Sequence, residues 1–441
     1  MYAYYFQLGL RSLRRNPLLT ALMVMAIGFG VAASMITYSV FRATANNPIP
    51  QKSDQLYAVQ IANWKPEDLE NGEPPSALTY TDAMALMQAH KAKRQTALYP
   101  VAPSIIPADA SRLPIEENSY ALYGDAFAMF DIPFIYGGPW GQAQDDARAA
   151  VAVIGKKLND KLFNGANSVG RTLRLKDTDV RIIGVLAPWR PSPQFYDVTG
   201  GRFSNGKTAG FYAHPEDVFM PFESSLEVNA GGFNVFTCWR MPENPQDLTH
   251  SPCVWVALWV ELGDATKVAK YTRFVADYAA QQKALGRFVH ADNTAMPSLM
   301  QWLDINQVVP SDVRLQTWLA FAFLAICLFN TIGLLLAKFL RRAGEIGVRR
   351  ALGASRAAVF AQCLVEAGLI GLLGGLGGLL LTMLGLWLIR RQPVEYADLV
   401  HLDASMFLVT FALAITASLL AGVLPALRAS RMAPSLQLKT L

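Results

Sequence analysis

Charge is scarce in this chain: 17% of its 441 residues are charged and 52% are hydrophobic, against about 25% charged residues in an ordinary soluble domain. Four stretches, Leu18–Phe41, Leu315–Ala337, Ala367–Ile389 and Ala404–Leu427, contain no charge at all. Buried helices of a soluble core seldom run past about 20 residues without one, so a wholly soluble fold is excluded. Histidine and cysteine are also sparse. The five histidines, His90, His214, His250, His290 and His401, stand at no metal-ligand spacing from one another or from the four cysteines, and no metal site is expected. His214-Pro-Glu-Asp217 reads as a loop leading into a strand. No G-x-S-x-G, H-E-x-x-H or Cys/His constellation is present, so nothing in the sequence points to catalysis. An arginine-rich stripe interleaved with aromatics is missing too, which argues against nucleic acid as a partner.

Each uncharged run is long enough to cross about 30 Å of hydrocarbon as a helix. Arg11, Arg14 and Arg15 precede the first run, and Arg428, Arg431 and Lys439 follow the fourth. Lys338, Arg341, Arg342, Arg349, Arg350 and Arg356 lie between the second and third, whereas only Arg42, Arg314, Arg390 and Arg391 lie near the opposite ends. The bias predicts that both termini and the turn 338–362 are cytoplasmic and that 42–314 is extracytoplasmic. It also accounts for the formal charge of +5. The first residues, with Tyr2, Tyr4, Tyr5 and Phe6 ahead of the arginines, suit an amphipathic helix at the membrane interface. Pro17 then opens the first span at an N1-like position. Ala43-Thr-Ala45 after that span raises the alternative of a cleaved signal peptide, but the run is longer than the usual apolar region of about 7–15 residues.

Residues 42–314 have the composition of a water-soluble domain. Ala150–Ile154, Arg181–Leu186, Val218–Phe222 and Val254–Val260 read as strands and Gly155–Phe163 as a helix, which together argue for a mixed α/β fold. Within it, Cys238 and Cys253 lie 15 positions apart. In an oxidising compartment a disulfide between them would close a loop through Pro242, Pro245 and Pro252 and contribute about 3 kcal/mol; two free thiols are the alternative. Cys327 and Cys363, in or next to spans, read as small apolar side chains. Gly201-Arg-Phe-Ser-Asn-Gly206-Lys207-Thr208 is a formal match to the phosphate-binding G-x-x-x-x-G-K-[ST]. That motif needs a buried strand before it and a helix after it. Gln194–Gly200 makes a poor strand and Ala209-Gly210 a poor helix start, so a glycine-rich surface loop is expected. A weaker echo, Gly165–Thr172, has Arg171 where the lysine belongs.

The stretch that organises the chain is the turn between spans two and three. Glu345–Leu352 spells two helical turns, and Gly353 is placed to end them in a left-handed cap. Such a helix, held parallel to the membrane by the flanking spans, is expected to offer a soluble partner a charged, rigid docking surface. Glu366, at the start of the third span, is a candidate brace expected to pair with Arg349, Arg350 or Arg356. Gly371/Gly375 and Gly374/Gly378 give that span two faces for close packing, within the chain or in a dimer.

Glu345-Ile-Gly-Val-Arg-Arg-Ala-Leu-Gly-Ala-Ser355 closely resembles the "REIGIRRALGA" turn of the MacB/FtsX-like (type VII, mechanotransmission) ABC transporter permeases. Val151-Ala-Val-Ile-Gly155, Asn167–Leu173, Val180–Leu186 and Gly124–Gly137 look like segments of that family's periplasmic core domain. Gly422–Leu438 resembles its C-terminal ending, and the Pro-rich stretch Arg190–Pro252 matches nothing in it. The resemblance implies an α-helical four-span membrane domain with a large mixed α/β extracytoplasmic domain between spans 1 and 2. Its boundaries are a cytoplasmic amphipathic helix 1–17, span one 18–41, the outer domain with its stalk 42–314, span two 315–337, the coupling turn 338–362, span three 363–389, a short outer loop 390–403, span four 404–427 and a cytoplasmic tail 428–441. It implies that Glu345, Ile346, Gly347, Arg349, Arg350, Leu352, Gly353 and Ser355 couple the permease to an ABC ATPase subunit. That subunit would bind ATP and Mg, and this chain would hold no cofactor and be no enzyme. Further implied partners are a second permease copy or paralogue, membrane lipids, and a periplasmic adaptor with an outer-membrane channel. Efflux of a drug, peptide or similar compound from the inner membrane is the leading expectation. Lipoprotein extraction and a non-transporting signalling or scaffold role (antimicrobial-peptide sensing, cell-wall hydrolase activation) are the alternatives.

Overall fold

The structure is a computed structural model and describes residues 2–64, 69, 72–107, 113–198, 210–233, 235–238, 240, 242, 244, 246–290, 293–309, 311–402 and 404–431. It divides into two compact units, Met1–Ala45 with Val309–Leu441, and Asn46–Val308. Among the described residues the first unit contains six α-helices: α1 (Tyr2–Arg15), α2 (Pro17–Thr44), α3 (Ser311–Arg341), α4 (Ala343–Ala351), α5 (Arg356–Ile389) and α6 (Ala404–Arg431). Among the described residues, four of them, α2, α3, α5 and α6, are long and apolar enough to cross a membrane. Their outward faces stay apolar, with Trp318, Phe329, Leu380 and Leu408 exposed, as a hydrocarbon surrounding requires.

Packing in this unit runs along glycine seams. Met23, Ile27, Val31 and Met35 form one buried stripe of α2 at i, i+4 spacing. A Cβ on Gly374 would lie 2.8 Å from Ile27 Cγ2, and one on Gly378 would lie 3.1 Å from the Gly28 carbonyl oxygen. On the other face of α5, a Cβ on Gly371 would fall 2.4 Å from Ser418 Cβ of α6. Both small-residue faces of the third span are therefore occupied inside the chain, by α2 and α6. Gly9 performs the same service for α1, where a Cβ would sit 2.5 Å from Leu369 Cδ1.

The second unit is built on an eleven-stranded mixed sheet. In chain order its strands are β1 (Leu56–Ala58), β2 (Arg94–Val101), β3 (Ser104–Ile106), β4 (Ile115–Glu116), β5 (Ser119–Leu122), β6 (Phe134–Gly137), β7 (Val151–Ile154), β8 (Thr172–Leu175), β9 (Thr178–Leu186), β10 (Val218–Pro221) and β11 (Ala257–Glu261). They lie in the order β1-β11-β2-β5-β10-β7-β9-β8-β3-β4, with β6 also on β9. β7 and β9 are parallel, which requires a crossover, and the helix Lys156–Phe163 lies within it. The helix Ala265–Ala284 turns Tyr271, Val275 and Ala279 inward at i, i+4 spacing. These residues join a core shared with Ile154, Val185, Val218 and Leu258.

The fold accounts for two features singled out in the sequence. Gly165–Thr172 forms the turn between a helix and β8. Asn164 caps the helix at φ 51°, and Asn159 donates to the Ala166 carbonyl at 3.0 Å while accepting from Ser168 Oγ at 2.6 Å. That turn is folded around an asparagine. The glycine-rich stretch 201–208 lies outside the described residues. Cys238 and Cys253 are directly opposed in a two-stranded antiparallel ladder and are joined by a disulfide, with their Cα atoms 4.2 Å apart.

Candidate functional site

The turn between α3 and α5 is a short helix with a defined C-terminal stop. The helix α4 covers Ala343–Ala351, two residues earlier than the sequence suggested. Gly353 adopts φ +101°. Its N–H donates to the Arg350 carbonyl and the Ala354 N–H to the Arg349 carbonyl, both at 3.1 Å, the paired bonds of a Schellman cap. A side chain there would be forced into the left-handed region, so glycine is required. Two residues later, Ser355 Oγ accepts from the Ala358 N–H at 3.1 Å and caps α5. Gly353 and Ser355 thus fix the angle between α4 and the third span.

Around α4 the charges form one network. Glu345 contacts Arg342 at 3.3 Å, Arg349 at 3.0 Å and Arg15 of α1 at 3.1 Å. Burial raises the Glu345 carboxyl, but the hydrogen bonds of Arg342 and the charges of Arg342, Arg349 and Arg15 outweigh it and leave the group below the usual carboxylate range. Arg342 also reaches Glu366 of α5 at 3.1 Å and Ser12 of α1 at 2.7 Å. Ser12 donates to Glu366. Lys338, at the end of α3, lies 2.6 Å from Glu366 as an ion pair without hydrogen-bond alignment. The Lys338 and Glu366 side chains are 0% and 2% exposed. Arg349 donates to Gln362 of α5 at 2.9 Å, and Arg350 donates to the Ser430 carbonyl of α6 at 3.1 Å. Through these bonds α4 is tied to α1, α5 and α6, and Glu366 in turn holds Lys338 of α3.

Two sequence expectations are corrected here. Glu366 pairs with Lys338 and Arg342 rather than with Arg349, Arg350 or Arg356. It sits ten residues into α5, or about 15 Å at 1.5 Å per residue, beyond the arginines that face Gln362 and α6. The long stems of Lys338 and Arg342 span that gap. Lys338 and Ser12 are members of the site that sequence reasoning missed. A cation closing one apolar run and an acid placed inside the next were the available signal.

The second correction concerns the outward surface. A charged docking face was expected, but Glu345 and Arg349 spend their charge on each other and are only 32% exposed each. Ile346 is half-buried against the helix core and Gly347 is buried. The residues left facing outward are Gly344, Val348, Ala351 and Leu352, with Val348 45% and Leu352 84% exposed. Their spacing of three to four residues makes one ridge.

Two known domain families match the chain. Residues 20–270 match the MacB-like periplasmic core domain and residues 318–434 the FtsX-like permease C-terminal domain. The chain belongs to the MacB/FtsX-like family of ABC transporter permeases. This permease is 22% identical over 434 residues to the pyoverdine export ATP-binding/permease protein PvdT of Pseudomonas fluorescens, covering 95% of this chain and 56% of the relative. The Pseudomonas entomophila protein of the same name is 23% identical over 436 residues, with 95% and 57% covered. The permease therefore spans little more than half of these relatives' length. The solved periplasmic region of MacB from Actinobacillus actinomycetemcomitans is 12% identical, with 58% of this chain and 94% of that chain covered and a TM-score of 0.36.

In the periplasmic-type domain of this permease, two buried acids each accept a hydrogen bond from a phenol. Tyr196 donates to Glu216 and Tyr120 to Asp197, each at 2.6 Å. Burial, reinforced by the Asp197 charge, pushes Glu216 up to about 8 despite the Tyr196 hydrogen bond. Burial likewise raises Asp197 to about 6. These groups brace the domain between the 3-10 turn Phe195–Asp197 and β10. Among the described residues, no group of three or more His, Cys, Asp or Glu is placed to hold a metal ion.

Proposed function

We propose that α4 docks an ABC ATPase subunit through its apolar ridge and passes the motion of that subunit into the spans through the Glu345–Arg342–Glu366 network. The observation that carries this reading is the division of labour on one capped helix. Val348 and Leu352 face outward, while Glu345, Arg342, Arg349 and Arg350 anchor α4 to three other helices, α1, α5 and α6. An exposed aliphatic pair rimmed by half-buried arginines suits a protein partner. ATP and Mg would be bound by that partner. Closure of the ATPase would push on the ridge, and the buried ion pairs would carry the displacement to α1, α3, α5 and α6 because a rigid, paired network cannot deform without breaking contacts.

On this reading both termini and α4 are cytoplasmic, residues 46–308 are extracytoplasmic, and the permease works in the inner membrane with a second permease copy or paralogue. The names of the relatives speak of pyoverdine export, which supports efflux of a compound of that general kind, with an adaptor and outer-membrane channel as further partners. The test is purification of the tagged permease in mild detergent, with the co-purifying ABC ATPase identified by mass spectrometry and its activity assayed. Leu352→Asp with Val348→Asp should abolish co-purification. Glu345→Arg or Arg349→Glu should retain the ATPase subunit but lower its stimulation. Normal recovery and stimulation in all these variants would remove α4 from the mechanism.

A further inference from the structure

The outer domain holds a cavity of about 540 Å³, within the roughly 300–1,000 Å³ typical of small-molecule sites. None of its lining residues belongs to the coupling site, and its chemistry is one-sided. Glu223 lines it with its side chain 15% exposed. Tyr80 donates to Glu223 Oε1 at 3.1 Å and Tyr123 to the same oxygen at 3.0 Å. Both phenols are held by aromatic packing. Tyr80 stacks on Trp255 at 6.0 Å between ring centroids, and Tyr123 stacks on Phe222 at 5.5 Å. The carboxylate is thus fixed in place before any ligand arrives.

Gln95 lines the same cavity and is 5% exposed, its amide nitrogen donating to the Met87 carbonyl. The carboxylates of Asp125 and Asp146 line the cavity too and are exposed. Asp145 also lines it, but both its oxygens are taken, by Trp140 Nε1 and the Gly124 N–H at 2.9 Å each. The basic residues lining it are His90 and Arg148. Arg148 is 61% exposed and stands 3.5 Å from Glu223 Oε2, long for a charge-assisted bond of about 2.7–2.9 Å. It can swing into water. Met84 and Met87 supply a soft apolar wall that adapts to varied shapes.

We propose that this cavity binds a small organic cation, an ammonium or guanidinium group on an apolar or aromatic body. The cation displaces Arg148 from Glu223 and donates to Glu223 Oε2, and the apolar body lies against Met84, Met87 and the tyrosine rings. Binding here extends the reading of the permease to a ligand-responsive outer domain. It requires neither nucleotide nor an ATPase subunit, so the two proposals fail separately.

The test is fluorescence titration of the full-length permease in detergent with dansylcadaverine, whose primary ammonium is free, and with its N-acetylated, neutral counterpart. The amine should bind saturably and about tenfold or more tighter than the acetylated compound. Glu223→Gln, which keeps an acceptor for both phenols, should weaken the amine about tenfold or more and leave the neutral compound unchanged. Arg148→Ala, an exposed change that leaves the core untouched, should tighten the amine about threefold by removing the competing cation. Equal affinities for amine and acetamide, unchanged binding in Glu223→Gln, or weaker binding in Arg148→Ala would each overturn the assignment.

Discussion

Glu366→Gln is the substitution on which the coupling network stands or falls. The carboxylate is 2% exposed and faces two cations, Lys338 at 2.6 Å with its side chain 0% exposed and Arg342 at 3.1 Å with its side chain 15% exposed. Neutralising it leaves two buried positive charges with a weak amide between them. Removing one partner of a buried ion pair costs about 3–5 kcal/mol. Glu345→Gln is the contrasting change, because Glu345 is 32% exposed and one of its partners, Arg15, is 72% exposed. Solvent screening there reduces the expected cost to about 0.5–1 kcal/mol. In thermal unfolding of the detergent-solubilised permease, at about 2–4 °C per kcal/mol, Glu366→Gln should lower Tm by about 6–20 °C. Glu345→Gln should lower it by about 1–4 °C. Replacing Lys338 by Met in the Glu366→Gln background removes one of the stranded charges. The pair should therefore be less destabilised than the sum of the single changes by about 1–3 kcal/mol. Glu366→Gln melting within about 2 °C of the parent, or strictly additive effects, would refute the claim that this cluster holds α1, α3 and α5 together.

Other expectations follow from single contacts. Converting Cys238 and Cys253 to serine should cost about 3 kcal/mol in denaturant unfolding followed by tryptophan fluorescence. Reductant should shift the parent protein by the same amount, and an unmoved parent curve would count against a stabilising crosslink. Gly371→Val places a Cβ 2.4 Å from Ser418 Cβ and should destabilise the bundle by about 1–3 kcal/mol or more. Gly377→Val, where a Cβ meets nothing within 4 Å, should be nearly silent, and equal losses at both sites would contradict the packing described. Glu216 is held protonated to about 8 by burial, above its unfolded value of about 4.3. The unfolded chain then binds fewer protons through this window, so stability is fullest at the acid end and falls as pH rises toward about 8. Glu216→Gln should flatten the dependence of Tm on pH between about 5 and 8, and parallel slopes in variant and parent would dismiss Glu216 as its source.

Much of this architecture was legible in the residues. Uncharged runs, arginine clusters at their ends and the alternation of short strands with a helix are local signals, and local burial or solvation is enough to express them. Gly353 and Ser355 were readable for the same reason, since a left-handed stop and a hydroxyl cap act within a few residues of themselves. Partners across the fold were not. Ser12, Lys338 and Glu366 meet because Gly9 lets α1 close on α5 and because two long cationic stems cross between helices, distances that one-dimensional spacing does not encode. The same holds for the cavity at Glu223, assembled from residues up to 143 positions apart. The sequence determined the spans, the inserted domain and the capped turn, because each of these is set by neighbours in the chain. Only the tertiary structure decided that the charges of α4 face its supporting helices and that Val348 and Leu352 face out. Pairing buried charges outweighs solvating half-exposed ones, and which charges become buried depends on how the helices pack.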